Sequence, residues 1–251
     1  MLEFDALFFA LAIPAVMFAG VSKGGFANGA GFAATPILAL AVPPGLAVGI
    51  MLPLLMVMDA ASLRAYWRRW DPVAVRVLLM GGLPGVVLGA LVWRAVPPDA
   101  IKLLIGGVAL GFVAFQLARR SGVLRLSPRP VGVGTGMVAG VASGFTSFVS
   151  HAGGPPAAVY LLLRGVAKTP YQATTVAVFT VLNLAKFVPF LFLGIFTADT
   201  ALASLVLAPV AVLGAWFGVR AHRLIPERVF FGLTYVLLTL TGGKLVWDVL
   251  G

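Results

Sequence analysis

The chain has no cysteine, only two histidines and few charged residues for its length. The absence of cysteine excludes disulfides, thiolate metal sites and cysteine redox chemistry. Charged residues make up 10% of the 251 residues and apolar residues 61%, whereas a soluble domain has about 25% and roughly 45–50% respectively. So little polar surface excludes a soluble fold, and the chain is expected to lie in a lipid bilayer.

The apolar residues form ten runs, and eight of these are long enough, or nearly so, for a helix to cross a hydrocarbon core of about 30 Å. The runs cover residues 6–21, 32–42, 46–63, 73–93, 100–118, 131–149, 155–163, 171–194, 200–219 and 229–247. They predict an all-α polytopic integral membrane protein. The two short runs each follow a glycine-rich break, at 22–31 and 150–156. Irregular backbone at membrane depth is tolerated only where it is buried in protein or lines a wet cavity, so both breaks predict function.

Sequence patterns recur at a nearly constant interval. Residues 19–21 match 139–141 and Pro36 matches Pro156 at a spacing of 120, and Pro84 matches Pro209 at 125. The pattern predicts two homologous halves, 1–120 and 131–251, joined by an Arg-rich linker at 121–130. Two halves that each contain a glycine-broken short helix are typical of secondary transporters.

The net charge of +10 comes from 18 basic residues against 8 acidic ones. The basic residues lie between the apolar runs, which indicates membrane orientation and no nucleic-acid partner. If the short segments complete a crossing, nearly all basic loop residues fall on one face, whereas Arg94 falls on the other with Glu3, Asp5, Asp99 and Asp199. The positive-inside rule then favours five plus five passes and inverted repeats, with the basic loops cytoplasmic. Four plus four passes with re-entrant hairpins is the alternative, which the short lengths favour.

Three polar residues lie inside apolar runs. Lys186 is in the middle of its run, where a charge costs roughly 2.5–3.5 kcal/mol, so a buried functional lysine is expected; a lysine that snorkels to an interface is the alternative. Asn183 precedes it by three positions and shares its face. Asp59 is interpreted as a countercharge or a proton carrier, or alternatively as an interfacial ion pair with Arg64.

The breaks predict an anion site. Interrupted helices expose backbone N–H groups, and helix N-termini carry about half a positive charge. Two helix starts with Lys23 and Lys186 nearby would therefore bind an anion. We expect the substrate-binding groups to be Lys23, Asn183, Lys186 and the N–H groups of Gly24, Gly25, Gly153 and Gly154, with Asp59 adjusting the charge. His151 is interpreted as a packing residue, and no catalytic residue, cofactor or metal is predicted.

These motifs resemble the TauE/SafE-type sulfite exporters of the 4-toluene sulfonate uptake permease superfamily. The resemblance rests on residues 22–26, 29–32, 42–44, 52–55, Asp59 and 64–71 in the first half, and on 153–156, Tyr160, 173–174, Asn183 and Lys186 in the second. The chain departs from the family pattern at 50–51 and at Gln172, where an arginine is common.

The resemblance implies a secondary transporter of sulfite or organosulfonates in a bacterial inner membrane. An interior-negative potential drives an anion outward, so export needs no coupled ion. Alternating access is the expected mechanism, with one half rocking against the other. An anion channel and a proton-coupled uptake permease for a sulfonate or another small organic anion remain alternatives. No enzyme is predicted, because the chain contains none of the common hydrolase or nucleotide-binding motifs. Whether the protein forms a homo-oligomer is left open.

Overall fold

The computed structural model describes residues 5–25, 30–124, 126–221 and 227–251, and every regular element in those ranges is helical. In chain order the elements are α1 (Ala6–Gly25), a 3₁₀ turn (Ala30–Ala33), α2 (Ala34–Leu38), α3 (Pro44–Ala65), α4 (Pro72–Ala95), α5 (Pro98–Arg120), α6 (Val133–Ser150), α7 (Gly154–Leu163), α8 (Lys168–Phe192), α9 (Ala198–Ala221) and α10 (Glu227–Leu250). Within the described ranges, eight of these helices are long and apolar enough to cross a membrane. The predicted all-α multi-pass membrane protein is confirmed.

The short runs fold as expected from their length. The first forms the 3₁₀ turn followed by the five-residue α2, and the second forms the ten-residue α7. Residues 26–29 of the first break lie outside the described residues.

Glycines bring α4 and α6 into close contact. Gly82 and Gly144 face each other with no room for a Cβ atom, and Gly89 lies against the ring of Phe148. Small residues let the backbones of membrane helices approach closely, which supplies the van der Waals contact that holds them together in lipid. The contacts advance along both helices in the same order, so α4 and α6 run parallel.

A second glycine contact joins α1 and α9. Gly20 lies against Gly214 and Ala215, while Gly218 lies against Val21. These helices also run parallel. By contrast α5 and α10 are antiparallel, since Gly106 packs against Leu245 while Phe112 stacks near Tyr235, with their ring centroids 6.2 Å apart.

The directions of the remaining helices follow from these pairs. The N–H of Asp71 donates to Thr174 Oγ1 at 3.0 Å and Gly82 lies beside Leu182, so α4 and α8 are parallel. Since α3 joins α4, and α8 joins α9, through short loops at 66–71 and 193–197, α3 and α9 run opposite to α4 and α8. Hence α1 and α3 share one direction, and α6 and α8 share the opposite one.

Each short segment therefore returns the chain to the end from which the preceding long helix started. The return of α7 is visible in its contacts, because the N–H of Arg129, just before α6, donates to the carbonyl of Leu163 at the end of α7, at 2.8 Å. The helix directions match five passes in each half and differ from those of four plus four passes.

One end of the bundle carries most of the basic residues. Arg64, Arg68, Arg69, Arg119, Arg120, Arg129, Arg164, Lys168 and Arg220 lie at helix ends or loops of this basic end. Arg94, Asp99 and Asp199 lie at the other end. Glu3, Arg125 and Arg223 lie outside the described residues.

Candidate functional site: an intramembrane cavity

A cavity in the middle of the bundle reaches from the basic end to the centre of α8. It encloses about 720 Å³ of empty space, counted with its open mouth, which lies in the range of about 300–1,000 Å³ typical of small-molecule sites. Its lining comprises Ser22, Lys23, Phe32, Leu55, Asp59, Ser62, Ser147, His151, Gly154, Tyr171, Gln172, Thr175, Val176, Phe179 and Asn183. The members from α8 recur every three to four residues, so they form one face of that helix.

Lys23, Asp59 and Asn183 form a polar cluster in the cavity wall, here called the Lys23 cluster. The Lys23 ammonium pairs with Asp59 Oδ1 and also reaches the carbonyl of Leu55 at 3.5 Å. Asn183 Nδ2 donates to Asp59 Oδ2 at 2.5 Å. The Lys23 side chain is 22% exposed and Asp59 only 2%, so the cation faces the cavity while the carboxylate holds it from behind.

This geometry replaces one expected partner of Asp59 with another. Arg64 lies one and a half turns further along α3, and the ion pair forms instead with Lys23, 36 positions earlier in the chain. Three helices, α1, α3 and α8, therefore meet at a single carboxylate. Asp59 is the countercharge that the sequence predicted for a lysine.

Lys186, Ser147 and His151 form a second polar cluster, here called the Lys186 cluster. Lys186 is fully buried. Its Nζ lies 3.0 Å from the Ser147 carbonyl, 3.0 Å from Ser147 Oγ and 2.9 Å from His151 Nδ1. These three partners occupy the amine, and Lys186 is not among the residues of the cavity wall. The structure corrects the prediction that Lys186 contacts the substrate directly: it lies behind Ser147 and His151, which do line the cavity.

His151 connects this cluster to α3. Its Nε2 lies 3.0 Å from the carbonyl of Val48 and must donate to it, so Nδ1 is the acceptor that faces Lys186. The residue caps α6 in the left-handed conformation, with φ 57°, which histidine tolerates better than most residues. The prediction of a packing residue is incomplete, because His151 both ends α6 and forms part of the cavity wall.

The four glycines of the predicted site differ in what they offer. Because α1 continues through Gly25, the N–H groups of Gly24 and Gly25 lie in its last turn, where they bond to carbonyls one turn earlier. The structure thus corrects the expectation that these two groups are free. Gly153 and Gly154 open α7, and their N–H groups have no partner among the described residues. Gly154 lines the cavity.

The bundle is closed between the cavity and the end opposite the basic one. Phe148 packs edge-to-face with Phe190, at 5.0 Å between ring centroids, and Trp93 packs on Phe148 at 6.1 Å. Ser204 Oγ donates to the carbonyl of Ile50 at 2.9 Å. In this conformation the cavity therefore opens towards the basic end.

Several lining residues were not predicted from the sequence. Tyr171, Gln172 and Thr175 precede Asn183 at helical spacing within one apolar run. Polar residues on one face of a membrane helix are a detectable signal for a wet surface. Ser22 and Ser147 carry no such signal, since single serines also occur at helix contacts.

Comparison with known proteins agrees with the resemblance of the motifs. No curated protein and no solved structure matches the chain. The sequence model described as "Sulfite exporter TauE/SafE" matches residues 12–245, which include all ten helices in whole or in part. Members of this family are membrane transporters of sulfur-containing anions. The chain belongs to the TauE/SafE sulfite exporter family.

Proposed function

We propose that the protein exports sulfite or small organosulfonates as a secondary transporter, and that it is not an enzyme. The observation that carries the proposal is the cavity with Lys23 in its wall and the N-terminus of α7 beside it. A lysine ammonium and unpaired N–H groups at a helix start are the groups that bind oxyanions. The binding groups proposed here are Lys23, Gly153 and Gly154, with Asn183 and Asp59 holding Lys23 and Lys186 acting through His151 and Ser147.

The shape of the cavity favours a carrier over a channel. The aromatic contacts of Phe148, Phe190 and Trp93 fill the bundle on the side away from the basic end. Access from one side at a time is what an alternating-access carrier requires. Opening the other side would separate these rings and the bond from His151 to Val48.

We infer that the halves 1–120 and 131–251 are inverted repeats of five passes each, joined by the linker 121–130. Equivalence of the halves would pair α1 with α6 and α4 with α9. The contact of α1 with α9 would then be the symmetric copy of the contact of α4 with α6, and both are parallel glycine contacts. The opposite directions of α1 and α6 also support inversion.

The orientation follows from charge. With the basic end in the cytoplasm of a bacterial cell, as the positive-inside rule favours, the cavity faces inward. A membrane potential would drive a bound anion outward by about 2.3 kcal/mol per charge per 100 mV. Export then needs no coupled ion.

The test is sulfite efflux from proteoliposomes under an imposed potential, with sulfate, thiosulfate and a two-carbon sulfonate as comparison anions. We expect saturable sulfite or sulfonate flux that follows the voltage without a pH gradient, together with counterflow, which a pore does not show. Lys23→Met should lose the flux. Lys102→Met, which changes a lysine near the start of α5, is the matched control and should retain it.

Other outcomes reject parts of the proposal. Flux only with a proton gradient would make the protein a coupled uptake permease, with Asp59 as the proton carrier. Flux without saturation or counterflow would make it a channel. The absence of flux for every sulfur anion would reject the substrate class.

A further inference from the structure

The cavity wall carries little net charge. Among the described residues that line it, Lys23 and Asp59 are the charged side chains, and they form an ion pair. Lys186 lies behind the wall and adds at most one positive charge, and the start of α7 adds about half of one. A dianion would leave negative charge uncompensated in a medium of low dielectric constant. The charge count therefore matches a ligand with one negative charge.

Two buried polar atoms in the wall have no hydrogen-bond partner among the described residues. They are Gln172 Oε1 and Ser22 Oγ, and their residues are 8% and 1% exposed. Unpaired buried polar atoms are rare in proteins and call for a ligand or water. A hydroxyl such as that of Ser22 can donate to an anion, but the amide oxygen of Gln172 only accepts. An anion that offers only acceptors leaves Gln172 Oε1 unpaired.

The cavity is elongated along α8. Gln172 and Asn183 are eleven positions apart, which is roughly 16 Å along the axis at about 1.5 Å per residue. Asn183 shares Asp59 with Lys23, so the charged part of the wall lies at the deep end and Gln172 nearer the mouth. A compact ion such as sulfite cannot contact both ends at once.

We propose that the site selects a singly charged organosulfonate with a hydrogen-bond donor, a hydroxyl or an amide N–H, at the end away from the sulfonate. The sulfonate oxygens lie at Lys23 and Ser22, and the donor binds Gln172 Oε1. This inference rests on the proposed function and narrows its substrate. Gln172 is thus the residue that determines specificity between hydroxylated and plain alkanesulfonates.

The test compares two anions of similar length and equal charge, 3-hydroxypropane-1-sulfonate and butane-1-sulfonate, as competitors of sulfite counterflow in proteoliposomes. We expect the hydroxylated anion to inhibit at a concentration at least about 10-fold lower, because a site built to bond a hydroxyl rejects the analogue without it. Gln172→Met should bring that ratio close to one by weakening the hydroxylated anion alone. Gln116→Met changes a glutamine on α5 and should leave the ratio intact.

Two results would overturn this inference while leaving the proposed function in place. One is equal inhibition by the two anions in the wild type. The other is a preference for the hydroxylated anion that survives in Gln172→Met. If neither sulfite nor any sulfonate exchanges, the proposed function fails and the inference fails with it.

Discussion

The Lys23 cluster and the Lys186 cluster use the same kinds of groups for different purposes. Lys23 has one side chain partner, Asp59, and keeps 22% of its side chain exposed to the cavity. Lys186 has three partners and no exposure. A lysine within the membrane is therefore not by itself a ligand-binding group. Its free hydrogen-bonding capacity and its exposure to a cavity decide whether it can bind substrate.

The largest effect is expected from Lys23→Met. It leaves Asp59 unpaired in the cavity wall, and an unpaired buried charge costs about 3–5 kcal/mol. We expect flux to fall by about 100-fold or more, measured as sulfite efflux at matched protein insertion.

A double variant separates binding from folding at this site. Lys23→Met combined with Asp59→Asn removes both charges, so insertion and thermal stability should recover towards wild type while flux stays low. Recovery of flux in the double variant would show that Lys23 only neutralises Asp59.

Lys186→Met should affect stability more than affinity. The substitution leaves Ser147 and His151 Nδ1 without their partner in the protein interior, and each unsatisfied buried group costs about 1–3 kcal/mol. We expect a lower midpoint of thermal unfolding in detergent and a reduced maximal rate, with the KM for sulfite within about 3-fold of wild type, a limit below a 1 kcal/mol effect. A KM raised as strongly as in Lys23→Arg would put Lys186 in contact with the anion.

His151 offers a smaller comparison between two replacements. Both His151→Asn and His151→Val remove the bond to Val48, but asparagine tolerates a φ of 57° and a β-branched residue does not. Valine should be less stable than asparagine by about 1–2 kcal/mol, read from thermal unfolding. Equal stability of the two variants would mean that the left-handed cap does not control where α6 ends.

The smallest effect is expected at an ion pair outside the membrane spans. Arg164 Nη2 bonds Asp71 Oδ2 at 3.0 Å, and Asp71 caps α4 by accepting from the N–H groups of Val73 and Ala74. Burial raises the pKa of Asp71, but the bonds from Ala74 and Val73 and the Arg164 charge together hold that pKa below its usual range.

A carboxyl whose folded pKa is lowered stabilises the fold above its unfolded pKa of about 3.9, and the contribution is lost as the pH falls through the folded value. Asp71→Asn keeps the cap and removes the charge. It should cost about 0.2–1 kcal/mol at neutral pH and nothing at pH values below the folded pKa. A cost that does not change with pH would assign the effect to the cap.

Much of the fold could be predicted from the sequence, because bilayer thickness dictates the length of an apolar run that crosses it. The eight spans and both short segments came from this rule. The pairing of Asp59 with Lys23 could not, since 36 positions separate them and only packing brings α1 and α3 together. The end of α1 was also misjudged: glycine weakens a helix but does not end it when tertiary contacts continue, so Gly24 and Gly25 stay helical.

The most direct test of the central claim is protection of a cysteine placed in the cavity, in a chain that has none of its own. Thr175→Cys lines the cavity and should react with N-ethylmaleimide, a neutral thiol reagent. Ser121→Cys, exposed at the basic end, serves as the control. We predict that methanesulfonate and 3-hydroxypropane-1-sulfonate slow the reaction at residue 175 with saturation, leave residue 121 unaffected, and lose this effect in the Lys23→Met background. A reaction rate at residue 175 that no transported anion changes would contradict the claim that the anion binds in this cavity.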